Sequence, residues 1–234
     1  MAEPVLVELL EDLREHEVCH VLPDPKGAAT SSAPTPRLEI LISSVDFQRA
    51  LNVVSKYSSN TGQILQGRQS FSRFIRLFHP RKWKIRTANA IFWEPTSRRK
   101  SFRVSMRGGC VYLISHLAYK SPSSGKSIQV GTSVTESMLK NRQLVDKFWC
   151  AQRADELCYL TLYGVCNLSG NFTRDIIDRC EEVKRGVLSK ESERKKFREL
   201  LRVAFFNADG LVYDIVQKGQ YNTLKQRLIQ FADY

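Results

Sequence analysis

Between Lys82 and Tyr119 the hydrophobic period is two, and that pattern limits what this stretch can become. "KWKIR" (82–86) and "SFRVSM" (101–106) alternate basic or polar residues with apolar ones. Such alternation sorts onto opposite faces of a β-strand and scatters around a helix. "AIFWE" and "CVYLI" in the same region are apolar at both parities, and Glu94-Pro95-Thr96-Ser97 and Arg107-Gly108-Gly109 carry turn chemistry. The expectation is a small antiparallel β-meander over about 82–119, with one wet face.

Around it the period is helical. Val45–Tyr57 reads as a helix after a possible strand at Leu38–Ile42, and Ser70–Phe78 places Phe71, Phe74, Ile75 and Phe78 on one side. Ser133-Val134-Thr135-Glu136 fits a capping box opening a helical region that runs toward Cys166. Asn171–Leu188, Glu191–Asn207 and Leu211–Phe231 read as three further helices, with Gly186, Gly210 and Gly219 as possible breaks. The fold class expected is therefore α+β, mainly helical, with the meander embedded among helices.

The N-terminus reads differently. Pro4–His20 is a short amphipathic helix, with Val5, Leu6, Leu9, Leu10 and Leu13 on one side and Glu8, Glu11, Asp12 and Glu15 elsewhere. "LPDPKGAATSSAPTP" (22–36) has almost nothing to bury and reads as a linker. This divides the chain into an acidic arm (1–21), the linker (22–36), a basic α/β lobe (37–126) and a helical lobe (127–234). A flexible arm with a leucine face is expected either to fold back on its own basic stretch or to dock on a second copy, so Val5, Leu6, Leu9, Leu10 and Leu13 are the candidate oligomerisation contacts.

Charge narrows the function. The chain of 234 residues has net charge +12. Residues 1–36 carry −5, 37–67 carry +1, 127–234 carry +3, and 68–126 carry +13 on fourteen basic groups against Glu94 alone. Like charges so concentrated repel one another and destabilise a compact state unless an anion relieves them. Arg outnumbers Lys in this stretch, and the planar guanidinium matches phosphate oxygens and stacks on bases. Candidate phosphate contacts are Arg73, Arg76, Arg81, Lys82, Lys84, Arg86, Arg98, Arg99, Lys100, Arg103 and Arg107. Trp83, Trp93 and Phe102 lie among them and either fill a core or stack unpaired bases. Single-stranded RNA is the preferred partner. An anionic membrane is the alternative, which fits a matrix or movement protein, and an acidic protein partner is a third.

Other chemistries find little support. GxSxG and GxxxxGK[ST] are absent, and the single HExxH string, His16-Glu17-Val18-Cys19-His20, has no further ligand cluster to complete it, so no enzyme and no cofactor is expected. Glu15, His16, Glu17, Cys19 and His20 form the densest set of potential metal ligands, but a second paired motif is missing, so no metal is expected. Six cysteines without a CxxC pair, no apolar leader and no membrane-spanning run suggest a reducing, cytoplasmic setting with free thiols.

"VDFQRALNVV" (45–54), "FIRLF" (74–78), "RKSFRVSMRGGCVYLISHLAY" (99–119) and the closing "TLKQRLIQFADY" (223–234) together carry a family resemblance. Their order resembles the layout of nucleoproteins from segmented negative-strand RNA viruses of the orthobunyavirus type. The resemblance implies RNA held in a basic groove between two helical lobes, with flexible arms linking each subunit to the next.

Overall fold

The structure, a computed structural model, describes residues 4–25, 37–57, 94–95, 101–106, 109–120, 127–167 and 170–232. Among them the elements run α1 (Pro4–Glu15), β1 (His20–Val21), β2 (Arg37–Ile42), α2 (Phe47–Val54), β3 (Glu94–Pro95), β4 (Ser101–Met106), β5 (Gly109–Ile114), β6 (Ala118–Lys120) and β7 (Ser127–Gln129). They continue with α3 (Thr132–Lys140), β8 (Gln143–Val145), β9 (Phe148–Cys150), α4 (Arg153–Leu162), α5 (Arg174–Leu188), α6 (Glu191–Phe205), α7 (Asp209–Gln217) and α8 (Leu224–Ala232). The class is mainly helical α+β, as the periodicity predicts. The chain forms two compact units, each assembled from three segments: Met1–Ser70 with Ser97–Leu117 and Thr135–Gln152, and Phe71–Thr96 with Ala118–Val134 and Arg153–Tyr234. These cut across the four-part division drawn from the sequence.

The first unit is built on a four-stranded sheet ordered β1-β2-β5-β4. β4 and β5 form the expected antiparallel hairpin, but β5 pairs in parallel with β2, so the sheet is mixed and not a meander. The reason lies in β5, where Val111 and Leu113 on one side and Ile114 on the other are all buried. A strand apolar on both sides belongs inside a sheet, and β2 (RLEILI) is its match. β6, expected to continue the meander, instead joins β7 and β3 in a three-stranded sheet of the second unit.

The largest correction concerns the N-terminus. Leu9 and Leu13 are completely buried, and Leu6 and Leu10 nearly so, in one core with Leu38, Ile40, Ile42, Val111, Leu113 and the α2 residues Phe47, Ala50, Val53 and Val54. α1 is thus a structural helix of the first unit, and its leucines are occupied within the chain. Val5 lies in the same helix, and only its helical placement is described. Burial of each such side chain contributes about 1.5–3 kcal/mol, more than a free arm could forgo four times over. The acidic flank is used as well. Tyr57 donates its hydroxyl to Asp12 Oδ2 at 2.6 Å, and Lys147 Nζ lies 3.3 Å from Glu11 Oε1.

The helical run expected from Ser133 toward Cys166 is interrupted by the β8–β9 hairpin. Asp146 and Lys147, its two turn residues, both have positive φ (45° and 75°), the backbone that two-residue hairpin loops require. Asp tolerates that conformation and Lys does not advertise it, so the turn hides in the sequence. Farther on, the expected Leu211–Phe231 helix divides into α7 and α8 at Gly219, whose φ is +69°. Ser70–Phe78 and most of the 22–36 linker lie outside the described residues.

Two outcomes follow from this packing. Leu9→Ala or Leu13→Ala should destabilise the first unit by about 2–5 kcal/mol in chemical denaturation, and removing residues 1–17 should abolish its cooperative unfolding, where loss of a dispensable arm would leave the transition intact. Gly219→Ala should cost roughly 1 kcal/mol in the same measurement, because a side chain at positive φ is strained, and its Cβ would stand 3.0 Å from Glu181 Oε1.

Candidate nucleic-acid interface

The basic stretch contributes to the described structure through β4. Phe102 stands opposite Leu113, and Arg103 opposite Tyr112. Leu113 in turn pairs with Ile40, and Tyr112 with Glu39. Position 102 therefore belongs to the register row of Ile40 and Leu113, both fully buried in the core. Position 103 belongs to the alternate row, beside half-buried Tyr112 and buried Glu39. Arg103 sits on the outermost strand of this sheet, at a register where an arginine lines up with a tyrosine and a carboxylate. Arg73, Arg76, Arg81, Lys82, Trp83, Lys84, Arg86, Trp93, Arg98, Arg99, Lys100 and Arg107 lie outside the described residues.

Next to the core of the first unit sits a polar knot that the sequence reading treated only as potential metal ligands. His20 is buried and its Nδ1 lies 2.8 Å from the Val18 carbonyl, so that nitrogen carries the proton and donates. Burial depresses the His20 pKa, and the nearby Arg142 and Arg14 guanidinium groups add to the effect. Arg142 donates to the Leu139 carbonyl at 2.5 Å, near the end of α3, and to Cys19 Sγ at 3.1 Å, while its guanidinium lies 4.9 Å from the Trp149 ring centre. The knot is held by hydrogen bonds to carbonyls and sulfur. No group of three or more His, Cys, Asp or Glu side chains placed to hold a metal occurs among the described residues.

The second unit is organised by α4, whose residues from Ala154 to Leu162 are all buried. Two of these are adjacent carboxylates at the first turn. Asp155 pairs with Lys196 of α6, and Glu156 pairs with Arg179 of α5, which also binds Glu182 at 2.8 Å. Burial alone would lower the Arg179 pKa, and the two carboxylates outweigh it and hold it raised. Glu193 Oε2 accepts the Ala154 N–H at 3.0 Å, satisfying a donor at the start of α4 from a different helix. At the far end of this unit Lys184 Nζ donates to the carbonyls of Val216 and Gln217, both at 3.3 Å, and pairs with Glu181 at 2.6 Å. A cation there meets the negative end of α7. Burial and Asp155 push the Cys158 thiol far above the usual range, so it is a protonated, unreactive packing group.

The sequence reading missed one surface. On α6, Lys195, Arg198 and Arg202 are exposed at spacings of three and four residues, followed by Phe206, itself 38% exposed. The i, i+3, i+7 spacing is present in the sequence, but it lies within residues 127–234, where seventeen basic groups face fourteen acidic ones.

No family model matches the chain, and no curated protein and no solved structure matches it either. No helix among the described residues is long and apolar enough to cross a membrane.

Two measurements check this electrostatic account. His20 binds its proton less readily in the folded state than in the unfolded chain, where its pKa is about 6.5. Stability of the first unit is then full above that pH and declines as pH falls below about 6.5. His20→Gln should flatten that decline in pH-dependent denaturation. Arg179→Ala leaves Glu156 buried without its cation and should cost about 3–5 kcal/mol, read as a lowered denaturation midpoint.

Proposed function

We propose that this protein is a non-enzymatic, sequence-tolerant single-stranded RNA-binding structural protein, similar to viral nucleoproteins in its use of charge. The observation that carries the reading is the net +13 over residues 68–126, with Glu94 as its one carboxylate and tryptophans interleaved. Lys and Arg that neutralise phosphates release counterions, which supplies affinity without sequence discrimination. The aromatic residues add stacking surfaces that accept any base. Arg103, on the outermost strand of its sheet, is the member of this set with a described strand position. Cys19, Cys150, Cys158 and Cys180 form no disulfide, which fits a reducing cytoplasmic setting.

Titration of the full chain into labelled single-stranded RNA at two salt concentrations tests this reading. Binding should be tight at low salt, indifferent to sequence and steeply weakened by salt. Neutralising Arg98, Arg99 and Lys100 together to Gln should flatten the slope of log K against log salt by roughly 2, about 0.7 for each lost contact. Absence of binding at low salt would overturn the proposal, and flotation with anionic vesicles would then support a membrane partner.

A further inference from the structure

We infer that the outer face of α6 is a second RNA contact, in which Lys195, Arg198 and Arg202 take phosphates and Phe206 stacks a base at the end of the row. The inference rests on the RNA-binding reading and adds a site on the second unit, outside the 68–126 stretch.

The helix dictates the geometry. Residues 195, 198 and 202 fall on one side of α6, and the rise of 1.5 Å per residue sets 195 and 206 roughly 16 Å apart along it. All three cations are exposed, and none is bonded to a carboxylate among the described residues. Of the acids on α6, Glu193 accepts the Ala154 N–H. Glu191 is committed to Arg194, and exposed Glu199 flanks the row as one negative charge against three positive ones. Arg198 is held in place by the Tyr213 ring, 4.3 Å below its guanidinium carbon, so a flat cation is presented in a fixed orientation.

Phe206 supplies the second, independent observation. Its φ of 47° is a conformation that an aromatic residue adopts only under constraint. Its backbone N–H still bonds to the Arg202 carbonyl, so the residue sits one turn beyond Arg202 while the chain turns away from the helix. Strained backbone of this kind gathers at functional positions. A line of cations ending in an exposed aromatic ring matches a strand that offers phosphates along its length and an unpaired base at one end.

The test uses the full chain and labelled oligouridylate across a salt series. For Lys195→Gln combined with Arg202→Gln, affinity at low salt should fall at least tenfold and the salt slope should flatten by roughly 1.4. The thermal midpoint should stay within a degree or so, since both side chains are exposed. Phe206→Leu keeps the apolar bulk and removes the stacking ring, so affinity should fall roughly tenfold with the salt slope unchanged. If the double variant binds with the parental affinity and slope, the α6 site is overturned while the RNA reading stands. If the parent itself does not bind oligouridylate at low salt, both fall together. If only Phe206→Leu is silent, the stacking half of the inference is wrong.

Discussion

Asp155 and Glu156 leave water at the start of α4, and the second unit is organised around what that requires. A buried carboxylate without a counter-ion costs several kcal/mol. Lys196 and Arg179 remove that cost only if α6 and α5 stand at particular rotations about α4. Apolar packing alone would tolerate sliding of one helix along another, whereas two directional ion pairs and the Glu193–Ala154 bond do not. The helix register is therefore fixed by charge at one end of α4, and by shape at the other, where Phe172 lies so close to Gly164 that a Cβ there would sit 2.1 Å from the ring.

The first unit solves a different problem. Its strands β2 and β5 line one face of the sheet with Leu38, Ile40, Ile42, Val111 and Leu113, a face that needs a lid, and α1 and α2 supply it. The acids of α1 then settle against Tyr57, Lys56 and Lys147 of the same unit. This is the sense in which an N-terminal segment of charge −5 belongs to the body of the molecule. The stretch of concentrated charge, 68–126, also supplies β4 and β5 of this sheet and the core residues Val111 and Leu113.

Much of this was legible in the residues. The 3.6-residue period located α5 and α6 within three residues of their ends, and the period of two found the β4–β5 hairpin. What periodicity did not carry was partnership. Nothing local to Leu38–Ile42 says that it lies parallel to β5, because the pairing is decided by a strand some seventy residues away. Likewise the leucines of α1 show that a partner exists and not which chain supplies it, and the Pro- and Ser-rich linker drew the reading toward a neighbour. The hairpin at Asp146-Lys147 was missed because lysine in a left-handed conformation leaves no compositional mark. Of the proposed site, the sum of charge was plain, and the α6 row was obscured because the acids at 191, 193 and 199 offset three of the five basic residues in that helix.

The interleaving of the two units has a consequence for how the chain is made. The chain passes between them five times before the last segment begins at Arg153. Neither unit corresponds to a contiguous stretch that could be expressed by itself, and the first cannot close until Gln152 has left the ribosome. During synthesis the leucines of α1 must wait for the strand at 109–114, which gives a chaperone a defined interval in which to bind them.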